Sequence, residues 1–538
     1  MEAASTTVPA EIARVTAQTG TDAFFGLSGS GNFHLTHELT NAGLTYYAGT
    51  HEAACVAMAD GYARTSGKLG VATLHQGPGL TNAATALREA VRSNTAIVVY
   101  AATIPAACHE HNQYLDQRAF AESLGAGTET IADALDTVDT VVRSMRRALA
   151  EQRPIVTMVP INLQEQAVDP RPIATDPTRV PEPPLPDPAM IEQALELLDG
   201  ARVPVILAGR GAYRSMAAAS LADLADRLGA TLLTSSQANG LFHDHPRSLG
   251  LAGGFGSARA RAALARADVV AAFGCSLNPW TLAANRWLTT HAQLIRVDAD
   301  PRAFGSGPAA TVAIVGDCAV VSRVLCEGLR GRTAAPPAPT AGMRQRAIEP
   351  EVDRPNVIDP RKLTRLLDEI LPAERTLSID SGHFMIFPAS MMEPLDPAGF
   401  LLAQGFMSMG LALAEGLGAI VARRDRLGVA MLGDGGARMS IGEIDTAVRH
   451  RLPILVVIYN DAAFGAEVHD FAGSGRSLDT VRFADDDFAA VARGFGADGV
   501  TVRNPGDLDQ VRRWLEHRRA PLVVDAKIDP RVRGPWLD

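Results

Sequence analysis

Short, mostly apolar runs recur along this chain, each parted from the next by a longer amphipathic stretch. Gly70–Leu74 and Ala96–Tyr100 come first; Val203–Ala208, Ala230–Thr234, Val269–Phe273 and Leu294–Val297 follow; Thr376–Ile379, Gly428–Leu432 and Pro453–Tyr459 lie towards the C-terminus. Glu52–Thr65 and Ile441–Arg451 carry helical spacing. Alternation of this kind is the signature of parallel α/β layers.

Proline divides the pattern. Pro170–Pro188 holds eight prolines in nineteen residues, and Pro336–Pro360 holds six in twenty-five. Proline without apolar periodicity reads as extended linker. The chain therefore separates into blocks 1–168, 189–332 and 361–538, and the expected fold is α/β, three consecutive doubly wound parallel-sheet domains. The outer blocks are similar in length and could be two copies of one architecture.

Composition narrows the function classes. With 50 basic against 60 acidic residues, a net charge of −10 and no long Lys/Arg run, the chain lacks the footprint that nucleic-acid binding needs. Cys55, Cys108, Cys275, Cys318 and Cys326 are scattered without a CxxC pair, which fits reduced thiols and a cytoplasmic location. No stretch of eighteen apolar residues and no signal-peptide pattern occurs, so neither membrane insertion nor export is expected.

The sharpest local motif is Gly433-Asp434-Gly435-Gly436, between an apolar strand and a helix. Glycines there let backbone N–H groups approach phosphate oxygens, although the same tetrapeptide also serves as an ordinary turn. Asn460-Asp461 ends the next strand, 461 − 434 = 27 residues on from Asp434. A right-handed strand–helix–strand unit brings two such strand ends together. Two hard oxygen ligands beside a glycine phosphate cradle describe a magnesium–diphosphate site.

At these residues the sequence resembles the thiamine diphosphate enzymes, whose signature is GDG, about two dozen residues, then paired Asn. Here Asp461 replaces the second Asn. The resemblance implies metal ligation by Asp434, Asp461 and the backbone carbonyl of Ala463, with Gly433, Gly435, Gly436, Phe464 and Gly465 beside the cofactor. Upstream, His51-Glu52-Ala53-Ala54 opens a helix, and a carboxylate in a first helical turn needs no ligand to explain it. The family, however, places a Glu at this spot against the cofactor pyrimidine. Glu52 would protonate N1′ and so help form the C2 ylid, the carbanion nucleophile.

Further matches spread the resemblance over nearly the whole chain, chiefly to the acetolactate synthase and benzaldehyde lyase branch. Gln76-Gly77-Pro78-Gly79-Leu80-Thr81-Asn82 resembles the GPGxTN turn, which puts Gln76 and Asn82 at the cofactor. Ser408-Met409-Gly410 resembles the segment whose Met wedges between the cofactor rings, with backbone of Met407 and Met409 reading the aminopyrimidine. Gly382-His383 falls where the family contacts the diphosphate, and His383 is equally readable as a loop histidine. The middle block resembles the family's central domain, which holds FAD in some members. Gly209-Arg210-Gly211 lacks the full dinucleotide pattern and Gly274-Cys275-Ser276-Leu277 lacks an Arg common there, so FAD is not favoured. Family members place the pyrimidine partner and the metal site on different subunits, which implies a homodimer at minimum, with tetramers common.

For the reaction, the resemblance implies a lyase or carboligase acting next to a carbonyl of a 2-oxo acid, aldehyde or hydroxy ketone through an enamine. The alternative is a non-oxidative 2-oxo acid decarboxylase releasing an aldehyde. Benzaldehyde lyase-like enzymes carry a histidine in the loop matching Gly26–Phe33, where this chain has Ser28, Ser30 and Gly31, with His34 further on. His109-Glu110-His111-Asn112-Gln113 follows the strand Ala96–Tyr100, and Gln113 is a candidate catalytic residue. Glu467 falls where decarboxylases carry an acidic proton relay; in an apolar cleft its carboxyl would be raised towards neutrality. Phe464, Ala466, Phe384 and Gln113 are candidates for the acyl pocket.

Overall fold

Two helices start with Asp-Pro at the close of the proline-dense segments. Asp187 caps Pro188–Gly200, its carboxylate accepting from Ala189 N at 2.9 Å, and Asp359 caps Pro360–Ile370, accepting from Arg361 N at 2.8 Å. Proline is preorganised for the first helical position, where its missing N–H costs nothing. The same residues thus end a linker and start a helix. The structure, a computed structural model, describes residues 6–282, 288, 291–331 and 351–534. Residues 332–350, most of the second proline-dense segment, lie outside the described residues.

Three six-stranded parallel sheets follow one another along the chain, with a short antiparallel pair, Thr6–Thr7 on Ala167–Val168, beside the first. Counting strands along the chain, the first sheet (Ala23–Gly26, Thr45–Ala48, Gly70–Leu74, Ile97–Thr103, Gly127–Thr130, Ile155–Pro160) has spatial order 2-1-3-4-6-5. The third (Arg375–Ile379, Phe400–Leu402, Leu427–Gly433, Leu455–Asn460, Asp498–Val502, Leu522–Lys527) has the same order. The middle sheet is wound 3-2-1-4-5-6, the classic dinucleotide-fold order. The outer domains are therefore two copies of one topology. Apolar strands buried on both faces explain why these short runs were legible: every residue of Leu455–Asn460 and of Gly70–Leu74 is buried.

The two copies share a core. Helix Glu52–Ser66 crosses helix Ala412–Ala422, placing Met58 and Tyr62 in one cluster with Leu413 and Leu417. Glycine permits the crossing. A Cβ on Gly61 would fall on the Glu415 carbonyl oxygen, and one on Gly418 on the Met58 carbonyl oxygen. Around the crossing, Asp60, Arg64, Glu89 and Glu415 are buried together, with Arg64 3.4 Å from Asp60 and 3.5 Å from Glu415. In the middle domain, glycines 209 and 211 lie against the backbone of Gly274 and Cys275, so backbone packing accounts for them. Among the described residues no helix is long and apolar enough to cross a membrane.

Candidate active site

In wound sheets of this kind ligands bind beyond the carboxyl ends of the strands, at the point where strand order reverses. In the third domain that point lies between Arg375–Ile379 and Leu427–Gly433, and the loops leaving it carry Asp380, Gly382, His383 and Asp434. Parallel register sets Gly433 opposite Tyr459 in the neighbouring strand, so the residues after both strand ends meet. Asp434 and Asp461 lie within hydrogen-bonding reach, and Ala463 N donates to Asp434 Oδ2 at 3.0 Å. Asn460 shapes the turn between them. Its Oδ1 accepts from Ala462 N at 3.1 Å and its Nδ2 donates to Asp525 Oδ1 at 2.9 Å, holding Ala462 at φ 56°.

The glycine motif is not the free loop its composition suggests. Gly433 closes the strand and Asp434 opens helix Asp434–Ser440, so Gly435 and Gly436 form its first turn. A Cβ on Gly435 would meet the Phe464 ring at 2.6 Å, and one on Gly436 would fall on Asp380 Oδ2. Asp380 is a participant that sequence reasoning missed. Buried and pushed up to about 7 by desolvation, it accepts from Gly410 N at 2.7 Å and Leu411 N at 3.3 Å. Its position directly after an apolar strand was the available signal.

Both metal-candidate carboxylates are raised above the usual range, Asp434 by burial and then by its neighbour Asp461, Asp461 by burial. A buried and a half-buried carboxylate side by side fit a hard divalent cation. Magnesium takes one or two carboxylates and completes its shell from phosphate and water. Groups of three or more His, Cys, Asp and Glu suited to a metal are absent among the described residues. A raised acid binds more protons folded than unfolded, so its stabilising effect is present at low pH and lost as pH rises through the folded value. The metal-free protein should therefore lose stability from about pH 4 towards neutrality through this pair, and Asp461→Asn should flatten that slope. Melting curves across the range check this; an unchanged slope in the variant would exclude the pair.

The remaining third-domain candidates separate by burial. His383 is buried behind Gly382, which adopts φ 141°, and its Nε2 accepts from Gly534 N at 2.9 Å. Its ring lies 4.3 Å from that of His469, and desolvation pushes it down to about 3, so it is neutral. Met407 and Met409 stand in a loop ahead of helix Ala412–Ala422, not within a helix as their Gly/Ala-rich surroundings suggest. Met407 adopts φ 62°, is 51% exposed and accepts a hydrogen bond from Trp280 Nε1 at its sulfur, while Met409 is half-buried. Phe464 and Gly465 follow Asp461, the Phe464 ring standing edge-on to Phe483 at 4.7 Å.

In the first domain the equivalent reversal lies between Ala23–Gly26 and Gly70–Leu74. Glu52 is buried in the first turn of its helix and accepts from Asn82 Nδ2 at 3.0 Å. Gln76 Nε2 donates to Gln113 Oε1 at 2.9 Å, while its own buried Oε1 has no hydrogen-bond partner. His75 joins this group and was not singled out from sequence. Its Nδ1 accepts from Gly31 N at 3.1 Å and its Nε2 lies 3.2 Å from Gln113 Nε2. Burial lowers its pKa first, with Gln113 and Glu52 acting against that. A histidine therefore reaches the Gly26–Phe33 loop from the adjacent strand end, where contact is set by sheet order and not by sequence distance.

Most of the remaining candidates lie at the surface of the single chain. Glu467 is exposed on helix Gly465–Phe471, and this chain by itself forms no apolar cleft around it. His109 and His111 are exposed as well. Phe384 is buried and stacked on Tyr459 at 5.2 Å, and Ala466 lies partly exposed beside Glu467. His34 sits on the surface, 3.6 Å from Glu165.

Comparison with known proteins bears on this arrangement. Residues 6–122 match the N-terminal TPP binding domain of thiamine pyrophosphate enzymes, 191–325 their central domain, and 380–526 their C-terminal TPP binding domain. The chain is 29% identical to a sulfoacetaldehyde acetyltransferase of Alcaligenes xylosoxydans xylosoxydans, over 91% of this chain and 87% of that protein. It is 30% identical to a Pseudomonas aeruginosa protein named probable 2-ketoarginine decarboxylase, over 94% and 90%. Its fold matches a thiamine diphosphate-dependent 4-hydroxybenzoylformate decarboxylase of Rhodococcus jostii RHA1 with a TM-score of 0.84 at 22% identity, covering 98% of this chain and 100% of that one. Three domain matches in order, and a relative at 30% identity along nearly the whole length, make this chain an enzyme of the thiamine pyrophosphate-dependent family.

Proposed function

We propose that this enzyme is a magnesium-dependent carboligase or lyase that forms or cleaves a C–C bond next to a carbonyl, acetolactate synthase-like, on 2-oxo acids, aldehydes or hydroxy ketones. When bound, thiamine diphosphate supplies the carbanion nucleophile. Glu52, held by Asn82, would keep a proton at the pyrimidine N1′. Met407 and Met409 would present the pyrimidine site, with Gly382, His383, Gly433, Gly435, Gly436, Phe464 and Gly465 around the diphosphate. Asp434, Asp461 and the Ala463 carbonyl would hold Mg2+. Gln76, Gln113 and His75 would meet the substrate carbonyl, with the unpartnered Gln76 Oε1 as a further polar contact. The working unit would be a cytoplasmic homo-oligomer, a dimer at least, with FAD not favoured.

The observation that carries carboligation over simple decarboxylation is the exposure of Glu467. Release of an aldehyde needs a sheltered acid to deliver a proton, and within the single chain this carboxylate is exposed. The decarboxylase reading keeps support from the relative named as a decarboxylase. Carbon dioxide release and product analysis with pyruvate alone and with pyruvate plus an aldehyde separate the two. Acyloin or acetohydroxy acid forming when acceptor is supplied is the expected result. Aldehyde released at the same rate with or without acceptor would replace it with the decarboxylase.

A further inference from the structure

Two loops lead into the residues assigned above to the cofactor, and they occupy equivalent places in the twin folds. In the first domain the chain runs from the second strand, Thr45–Ala48, through Thr50 to Glu52; in the third it runs from the second strand, Phe400–Leu402, through Gly405 and Phe406 to Met409. Each loop is gripped by a buried glutamate of the other domain. Glu443 lies on helix Glu443–Arg449 between the third and fourth strands of its sheet, and Glu89 on helix Ala84–Arg92 between the third and fourth strands of its own.

Glu443 accepts from Thr50 N at 3.1 and 3.3 Å and from the Thr50 hydroxyl, and Thr446 Oγ1 donates to it at 2.7 Å. Beside it, His450 Nε2 accepts from Ala48 N at 3.0 Å. Glu89 accepts from Gly405 N at 2.8 Å and Phe406 N at 2.6 Å, Arg92 Nε donates to Gly405 O at 3.3 Å, and Arg88 stands over the Phe406 ring at 5.8 Å. The two glutamates are 1% and 3% exposed, Glu89 and Glu443 respectively. Charge-assisted hydrogen bonds to backbone N–H groups are short and strong, and a buried carboxylate deprived of them is costly. General packing would not require the same device twice, at matching positions, on the two loops that precede Glu52 and Met409.

We propose that Glu89 and Glu443 are reciprocal positioning residues: Glu443 sets the loop that aims Glu52, and Glu89 sets the loop that carries Met407 and Met409. Each domain thus fixes the cofactor-facing loop of its twin. The clamps stand on the hydrogen bonds themselves, while their effect on the cofactor rests on the thiamine diphosphate reading above.

The test compares the full-length protein with Glu89→Gln and Glu443→Gln, and with the milder Arg92→Ala and Thr50→Val should either glutamine variant fail to fold. Amide hydrogen exchange without cofactor is read first. Glu443→Gln should speed exchange over residues 46–53 and leave 404–411 unchanged, and Glu89→Gln should do the reverse. Thiamine diphosphate and magnesium are then titrated and steady-state rates measured. Glu89→Gln should weaken cofactor binding by about 10-fold, whereas Glu443→Gln should lower kcat by about 10-fold with cofactor affinity held within about 2-fold. Uniformly faster exchange, or a lower Tm with unchanged affinity and unchanged kcat per folded site, would overturn the proposal. If wild type binds no thiamine diphosphate the functional reading falls, and the exchange pattern alone still decides whether the clamps exist.

Discussion

Glu52→Gln is expected to cut turnover by about 10²–10⁴-fold while thiamine diphosphate binding in the presence of magnesium stays within a few-fold of wild type. Glutamine preserves the size of the side chain and an oxygen that can accept from Asn82 Nδ2, which reaches Glu52 Oε2 at 3.0 Å. What it removes is the ability to hold or release a proton at N1′. Because Glu52 is buried at the head of Glu52–Ser66, water cannot readily take over that task. Isothermal titration beside steady-state kinetics separates binding from chemistry. Equal losses in both would make Glu52 a structural residue, and full activity in the variant would remove it from the reaction.

Gly61→Ala and Gly418→Ala should each destabilise the protein by about 3 kcal/mol or more, at the upper end of what overpacking costs. Helix propensity argues the opposite, since alanine in place of an interior helical glycine gains up to about 1 kcal/mol. The crossing decides the sign. Either added methyl group would land on a backbone carbonyl oxygen of the opposing helix, Glu415 for position 61 and Met58 for position 418. Backbone cannot rotate aside as a side chain can, so the helices must separate. These helices begin at Glu52 and just after Met409, so separation should also reduce activity per folded molecule. Denaturant or thermal unfolding measures the first effect, and a rise in Tm in either variant would show that the crossing is looser than described.

Much of the scaffold was legible because it is local. The apolar run Val269–Phe273 is a strand with those same bounds, Glu52–Thr65 is helix Glu52–Ser66, and Leu294–Val297 is strand Gln293–Asp298. Short apolar runs announce strands buried on both faces, and chemistry at a strand end, such as Asp434 after Leu427–Gly433, needs only one neighbour to make sense. Loops are less legible. Gly/Ala-rich composition around Met407 and Met409 suggests helix, yet Asp380, 30 residues upstream of Gly410, takes the Gly410 and Leu411 N–H groups and fixes where the helix begins. Likewise the burial of Glu467 could not be judged from its place six residues after Asp461.

Amino-acid sequence by itself determined the α/β class, the apolar strands and the acids and glycines standing at their ends, because periodicity and turn chemistry act over a few residues. Tertiary structure alone decided which of those ends meet. His75 reaches Gly31 because the first and third strands are neighbours in space, Glu89 and Glu443 grip loops more than three hundred residues away, and Gly61 faces Glu415 because two copies of one topology pack helix on helix. Sheet order and domain docking are sums over many distant contacts, and no single segment of chain contains them.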